Sequence, residues 1–199
     1  MRSILIFAAM LCAVVTASAQ TTAEEWVQRL DMSLGERYGM HISVDMGGEP
    51  IEGYFMVDGD AYYINLGVME VYSDGKLRHE VNNERKEVTI DSVDLSSYDL
   101  LTNPTHAFDF VGEEFAMSVV EQRSNECLLS LKPRHEALGI VEIKLVLCAD
   151  ASGVKPQAIA YDYDGEMVAL TLRMADVSNS EIPRWDKRAY SAYDIVSFL

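Results

Sequence analysis

Histidines are the side chains of this chain best suited to metal binding or acid/base catalysis, and they are few. His41, His79, His106 and His135 lie far apart. No two of them have the spacing that places metal ligands on one helix face beside a third ligand. Isolated histidines of this kind are usually surface or strand residues. The sequence therefore predicts no metal site.

Motifs for nucleophilic catalysis and for phosphate binding are missing from the sequence. It has no Gly-x-Ser-x-Gly elbow, no P-loop and no dinucleotide-binding glycine pattern. Ser73 precedes an Asp-Gly pair and fits a turn better than a catalytic serine. The 32 acidic residues are too evenly spread to single out an acid/base pair. We expect no enzymatic activity and no cofactor; a hydrolase would need polar side chains clustered in a cavity.

Residues 1–19 have the composition of a secretory signal peptide. Arg2 supplies a positive charge, residues 4–15 are apolar, and residues 17–19 form a small-x-small cleavage site. The apolar run is too short to anchor the chain in a bilayer. We expect cleavage at this site and a single mature domain, residues 20–199, in the periplasm.

Cys127 and Cys148 flank a predicted hairpin, and an exported protein can form disulfides. Strand alternation places Cys148 in phase with the outward Glu142 and Lys144, whereas Cys127 is in phase with the inward Leu129. Two alternatives stay open: free thiols on opposite faces, or a disulfide that would require a β-bulge.

The formal net charge of the chain is −16, from 32 acidic residues against 16 Lys and Arg. Such a charge repels phosphates, so nucleic acid and anionic membrane surfaces are poor partners. It also gives an exported protein a surface that resists association, and we expect a monomer.

One amphipathic helix is predicted over residues 22–38. Thr22 and Glu25 have capping-box spacing, and Gly39 has the position of a C-terminal stop. Trp26 and Leu30 recur four residues apart on its apolar face. This face needs an apolar partner elsewhere in the fold.

The rest of the chain predicts an antiparallel sheet. Asp-Gly pairs at Gly59, Gly75 and Gly165 separate alternating apolar runs and mark hairpin turns. About eleven strands in a chain of this length must curl into a barrel or half-barrel. Residues 94–112 interrupt the strands, and Pro104 predicts a short helix within a lid, or else a simple crossover. The predicted fold is α+β, mainly antiparallel β, with helices covering the concave face.

Alternation gives residues 53–91 an apolar inner side. The inward positions on these strands are Phe55, Val57, Tyr62, Ile64, Met69 and Val71. A concave sheet this apolar either fills itself with side chains or holds an apolar ligand, and the sequence leaves both alternatives open.

Several segments, in order, resemble the LolA-type outer-membrane lipoprotein carriers, most closely a divergent Bacteroidetes-type branch. The matching segments are Ser73-Asp74-Gly75-Lys76, Asn82-Asn83, Glu87-Val88-Thr89-Ile90, Asn103-Pro104, Leu131-Lys132-Pro133 and Trp185-Asp186 with Tyr190 and Asp194. Where the family carries Trp and Tyr after Asp-Gly-Lys, this chain has His79 and Val81.

The resemblance implies an incomplete β-barrel whose concave face shelters the acyl chains of a lipoprotein crossing the periplasm. It also implies an inner-membrane ABC transporter as donor and an outer-membrane acceptor that the sequence does not specify. The side chains expected to contact the acyl chains are Trp26, Leu30, Phe55, Val57, Tyr62, Ile64, Met69 and Val71. The alternative is an envelope sensor or scaffold that uses the same fold to recognise a protein.

Overall fold

The computed structural model describes residues 21–45, 47–110, 112, 114–135 and 139–199; the predicted signal peptide lies outside them. They contain α1 (Ala23–Leu34), β1 (Arg37–Asp45), β2 (Ile51–Asp58), β3 (Ala61–Leu66), β4 (Met69–Ser73), β5 (Leu77–Asn82), β6 (Glu87–Ser92), β7 (Phe115–Gln122), β8 (Glu126–Pro133), β9 (Glu142–Asp150), β10 (Gly153–Tyr163), β11 (Glu166–Met174) and β12 (Asp194–Ser197). In this part of the chain no helix is long and apolar enough to cross a bilayer.

Helix α1 begins where the sequence predicts it. The Glu25 N–H donates to the Thr22 side chain at 3.2 Å and the Thr22 N–H donates to the Glu25 carboxylate at 3.0 Å, so the capping box is complete. The predicted end is wrong. The helix stops at Leu34, where Gly35 adopts a φ of 63° and donates its N–H to the Asp31 carbonyl.

Gly39 lies within β1 rather than at the end of the helix. A Cβ atom at this position would lie 2.5 Å from Cγ1 of Val177 and 3.1 Å from the carbonyl oxygen of Phe55. The absent side chain therefore makes room for the segment that follows β11 to pack against the outer face of β1.

The twelve strands form one open sheet in the order β12-β6-β5-β4-β3-β2-β1-β11-β10-β9-β8-β7. Neighbouring strands are antiparallel except β12, which pairs with β6 in parallel. Two meanders, β1–β6 and β7–β11, meet where β1 pairs with β11. The predicted half-open, mainly antiparallel barrel with an N-terminal helix is thus confirmed, and the parallel edge strand β12 was not predicted.

The predicted Asp-Gly turns join β2 to β3, β4 to β5, and β10 to β11. Their glycines have φ values of 61°, 89° and 97°, a backbone region that residues with a Cβ atom adopt at a cost. These turns set the register, in which Phe55, Ile64 and Val71 lie side by side on β2, β3 and β4.

Residues 94–110, which we call the lid, connect the two meanders across the concave face. The short helix predicted around Pro104 is wrong, because the lid consists of turns. The Asp99 carboxylate accepts hydrogen bonds from the N–H groups of Leu101 and Thr102 at 2.7 and 3.2 Å. Local bonds of this type compete with helix formation.

The sheet buries apolar side chains on both faces. An inner core on the concave face contains α1, the lid side chains Leu100, Ala107, Phe108 and Phe110, and inward residues of both meanders. An outer core on the convex face contains Met56, Tyr63, Tyr72, Val81, Val88, Val177 and Ile182. Residues 175–199, the C-terminal segment, cover this outer core.

The two cysteines face opposite sides of the sheet. Cys127 on β8 lies opposite Leu147 on β9, whereas Cys148 lies opposite Glu126. Cys127 is buried in the inner core and Cys148 is half-exposed beside the Asn125 side chain. Both thiols are free in this structure.

Candidate ligand-binding site on the concave face

The inner faces of β2, β3 and β4 place most of the predicted acyl-contacting side chains together. Val57 lies opposite Tyr62, and Phe55 opposite Ile64, which in turn lies opposite Val71. All five are buried in the inner core. Met69 differs, because it lies at the start of β4 and is only half-buried.

Trp26 and Leu30 are buried in the same inner core, but α1 lies over the second meander and packs mainly against β10 and β7. The Trp26 indole donates to Gln122 on β7 at 3.4 Å, and the Arg29 guanidinium lies 5.0 Å from the Trp26 ring centroid. The predicted site is therefore one continuous apolar layer, in which α1 and the β2–β4 wall occupy different parts.

Hydroxyl groups of three inward tyrosines hold the lid over this layer. Tyr38 donates to the Pro104 carbonyl at 2.8 Å, and Tyr62 donates to the Thr102 carbonyl at 3.1 Å. From the second meander, Tyr161 donates to the Tyr98 carbonyl at 3.2 Å and accepts the Leu100 N–H at 3.0 Å. We call these three residues the tyrosine clasp. Their partners are backbone groups of the lid, so the residue types in the lid gave no sign of these bonds.

Burial raises the pKa of all three clasp hydroxyls; for Tyr62 the positive charge of Arg78 opposes this effect. Each tyrosine therefore stays protonated at neutral pH and retains the proton that it donates to the lid. The clasp is insensitive to pH near neutrality.

The β1–β4 part of the inner face is apolar, but on β5 and β6 the inner face is polar. Register places Arg78, Glu80 and Asn82 of β5 on the inner face, opposite Asp91, Thr89 and Glu87 of β6. Nη2 of Arg78 lies 2.8 Å from the Glu80 carboxylate. We call these six residues the polar strip. Alternation in β5 could have revealed it, because Leu77, His79 and Val81 share the opposite face.

On the outer face of strands β2–β4, Glu70 is the central hydrogen-bond acceptor. Its Oε1 accepts the hydroxyls of Tyr63 and Tyr72 at 2.7 and 3.2 Å, and its Oε2 accepts Asn83 Nδ2 and the Tyr190 hydroxyl at 3.1 and 3.2 Å. Burial raises the pKa of the carboxyl, but these hydrogen bonds outweigh it and lower the pKa overall. Glu70 thus joins β3 and β4 to the C-terminal segment.

The two departures from the carrier family lie on this outer face. His79 stacks on the Trp185 indole with ring centroids 4.7 Å apart, and Trp185 stacks in turn on Tyr190 at 4.9 Å. Val81 is fully buried in the outer core. His79 and Val81 therefore contribute to the docking of the C-terminal segment rather than to the concave face.

Several clefts open on the surface of the described residues. One of about 610 Å³ lies between Arg37, Asp58 and residues 181–184, and one of about 230 Å³ lies beside His79 and Trp185. Two others, of about 350 and 220 Å³, lie beside the lid at Tyr163 and at the outer face of β8. None of the eight predicted acyl-contacting residues lines these four clefts, and seven of them are buried in the inner core.

Ionisable side chains do not gather into a metal-binding group in the described ranges of the chain, where no three His, Cys, Asp or Glu residues are suitably placed. The concave face offers apolar contact and a few hydrogen-bond donors. Such an arrangement suits an apolar or amphiphilic ligand.

Comparison with solved structures identifies proteins of similar architecture. An uncharacterised conserved protein from Thermus thermophilus matches 88% of this chain and 98% of its own, with 9% identity and a TM-score of 0.54. This chain shares its fold. Identity this low carries no information on function.

Two further matches bear family names. A LolA superfamily protein from Nitrosomonas europaea has 10% identity, covers 86% of this chain and 98% of its own, and has a TM-score of 0.37. An outer membrane lipoprotein-sorting protein domain from Vibrio parahaemolyticus has 9% identity, coverages of 85% and 94%, and the same TM-score of 0.37. No protein-family model and no curated protein sequence matches the chain.

Proposed function

We propose that the protein is a periplasmic carrier that shelters the acyl chains of lipoproteins on its concave face and moves them toward the outer membrane. The observation that carries this proposal is a continuous apolar layer covered by a lid without helix or strand. The lid is attached through hydroxyl-to-backbone hydrogen bonds of the tyrosine clasp. The sequence resemblance to LolA-type carriers points to the same function.

The closed lid and a bound acyl chain compete for the concave face. Each clasp hydrogen bond contributes about 1 kcal/mol to the closed state. An acyl chain gains about 0.8 kcal/mol for each CH₂ group withdrawn from water. A long acyl chain can therefore displace the clasp, while apolar lid residues such as Phe108 exchange one apolar contact for another. A lid of this strength permits loading and release.

The remaining parts of the proposal concern processing and partners. After removal of the predicted signal peptide, residues 20–199 would act as a monomeric carrier without catalytic activity. An inner-membrane ABC transporter would supply the lipoprotein and an outer-membrane acceptor would receive it. The strongly acidic surface supports a carrier that does not rest on anionic lipid.

Acyl uptake by the purified protein tests the proposal directly. Native mass spectrometry and displacement of a fluorescent fatty-acyl probe should both detect binding. Val71→Asp places a charge in the inner core and should abolish uptake, whereas Val68→Asp, at a position 54% exposed, should retain it. Folding of both variants is checked by circular dichroism. Folded wild-type protein that takes up no acyl ligand would refute the carrier function.

The close packing of the inner core favours a second candidate function. Seven of the eight predicted residues are buried in the inner core, which is the arrangement expected of an envelope sensor or scaffold with a filled interior. Such a protein would recognise its partner through an exposed face. A pull-down from envelope extract that recovers one protein partner and no lipoproteins would favour this candidate.

A further inference from the structure

Arg78 occupies the boundary between the apolar wall and the polar strip. It lies opposite Ser73 on β4, which lies opposite Tyr62 on β3, so the three residues form one row across the inner face. Tyr62 is the clasp residue that holds the lid at Thr102. The Arg78 guanidinium therefore lies where the apolar layer, the polar strip and one attachment of the lid meet.

One donor of Arg78 is left without a partner. Nη2 forms the ion pair with Glu80 at 2.8 Å, with both side chains less than one third exposed. Nε is buried and donates to no acceptor; it is the single such side-chain atom in the residues that the structure describes. A buried donor without an acceptor costs about 1–3 kcal/mol, and one explanation for such an atom in a native protein is a partner that binds there.

The charges around Arg78 define which acceptor would fit. Glu80 already balances its positive charge, and the polar strip adds two more carboxylates, Glu87 and Asp91. A free fatty acid would bring another negative charge into this environment and would be repelled. A neutral carbonyl oxygen accepts the Nε proton without that cost.

We propose that Nε of Arg78 donates a hydrogen bond to the ester or amide carbonyl that joins an acyl chain to its head group. This inference deepens the proposed carrier function and rests on it. It assigns the ligand class as neutral acyl esters and amides rather than hydrocarbons or free fatty acids. It also orients the ligand, with the hydrocarbon over β2–β4 and the head group over β5 and β6.

Displacement of the lid would bring a second donor to the same carbonyl. The Tyr62 hydroxyl loses its acceptor when the Thr102 carbonyl moves away. A carbonyl oxygen has two lone pairs and can accept from Tyr62 and Arg78 together. Replacement of the lost lid bond by a ligand bond would keep the hydroxyl satisfied in both states.

A matched pair of ligands tests the assignment: methyl palmitate and hexadecyl methyl ether, which have similar hydrocarbon but differ in the carbonyl. Probe displacement with the full mature chain should show that the wild type binds the ester about tenfold more tightly than the ether. The double variant Arg78→Met/Glu80→Gln removes Nε without leaving a carboxylate unpaired. It should lose most of the ester preference, because only the Tyr62 hydroxyl then remains to donate to the carbonyl, with affinity for the ether unchanged.

Two control variants separate the role of Nε from that of charge. Glu80→Gln alone keeps Nε, so it should retain the ester preference, and it should bind palmitate better than the wild type does. Arg85→Met removes an exposed guanidinium in the β5–β6 turn and should change neither ligand's affinity.

Equal affinity of the wild type for ester and ether would overturn the inference while leaving the carrier function intact. Retention of the full ester preference in the double variant would also overturn it. If the double variant fails to fold, the wild-type comparison of ester, ether and palmitate still tests whether the protein prefers a ligand with a neutral carbonyl. Failure of the wild type to bind any of the three would remove the carrier function and this inference together.

Discussion

At the scale of single residues, the tyrosine clasp decides how firmly the lid closes. Tyr62→Phe removes the hydroxyl bond to Thr102 but keeps the ring that fills the inner core. We expect the free energy of unfolding to fall by about 1 kcal/mol. Because the closed lid competes with the ligand, the affinity for hexadecyl methyl ether, which has no carbonyl for the Tyr62 hydroxyl to bond, should rise.

Tyr193→Phe is the matched control for this substitution. It removes a hydroxyl bond to Asn83 of 3.0 Å on the outer face, far from the lid. Denaturant titration should show a stability loss similar to that of Tyr62→Phe, and probe titration should show unchanged affinity. An unchanged affinity in Tyr62→Phe as well would show that its hydroxyl does not oppose ligand entry.

Glu70 is the residue that ties the C-terminal segment to the sheet, and its effect should depend on pH. Its pKa is lower in the folded protein than in the unfolded chain, since hydrogen bonds from tyrosine hydroxyls and Asn83 outweigh burial. The stabilisation is therefore fully present above the ordinary Glu pKa of about 4.3 and is lost as pH falls through the lower folded value.

Comparison of wild type with Glu70→Gln at several pH values measures this contribution. The wild type should be the more stable protein at neutral pH, and the difference in unfolding free energy should shrink below about pH 4. Trp185 stacks on His79 and Tyr190, so its fluorescence reports docking of the C-terminal segment. A difference that stays constant down to acid pH would contradict the role assigned to the carboxylate.

At the scale of secondary-structure elements, the sequence predicted those features that interactions between neighbouring residues determine. The start of α1 follows from its capping box, and the hairpins follow from their Asp-Gly pairs. The lid conformation did not follow, because Asp99 bonds to the lid backbone locally and the tyrosine clasp holds it from distant strands. The clasp contacts join positions far apart in sequence, which periodicity cannot relate.

The polar strip and strand β12 were also not predicted from the sequence, because both depend on contacts with distant parts of the chain. In β5 the outward residues are the apolar ones, because the C-terminal segment covers that face and supplies the partner for His79 and Val81. Strand β12 is exposed and pairs in parallel only because the chain crosses the outer face first. Alternation assigns two faces to a strand but does not say which of them is covered.

Register between β8 and β9 predicts the state of the two cysteines. Because Cys127 and Cys148 face opposite sides, the unreduced protein should keep two free thiols. Burial raises the pKa of the Cys127 thiol, so an alkylating reagent should modify Cys148 first. Intact mass spectrometry checks the prediction, and a loss of about two protons in mass without reductant would contradict it.

At the scale of the whole molecule, the sheet has two different covers. The C-terminal segment closes the convex face through an aromatic cluster and a half-buried carboxylate, whereas the lid closes the concave face through tyrosine hydroxyls and buried apolar side chains. The lid lacks helix and strand, so its backbone bonds are mostly local and opening it leaves the sheet ladder intact. The concave cover is therefore the one that can open without loss of strand pairing.

Hydrogen exchange with and without methyl palmitate tests this difference between the covers. Ligand binding should speed exchange at lid residues 94–110, slow it in β2–β4, and leave the C-terminal segment unchanged. A ligand that binds only the folded state, present at a hundred times its Kd, should raise the free energy of unfolding by about 2.7 kcal/mol. If the ligand binds and the lid amides stay fully protected from exchange, the acyl chain lies on another surface. Faster exchange at residues 175–199 would point to the outer core instead.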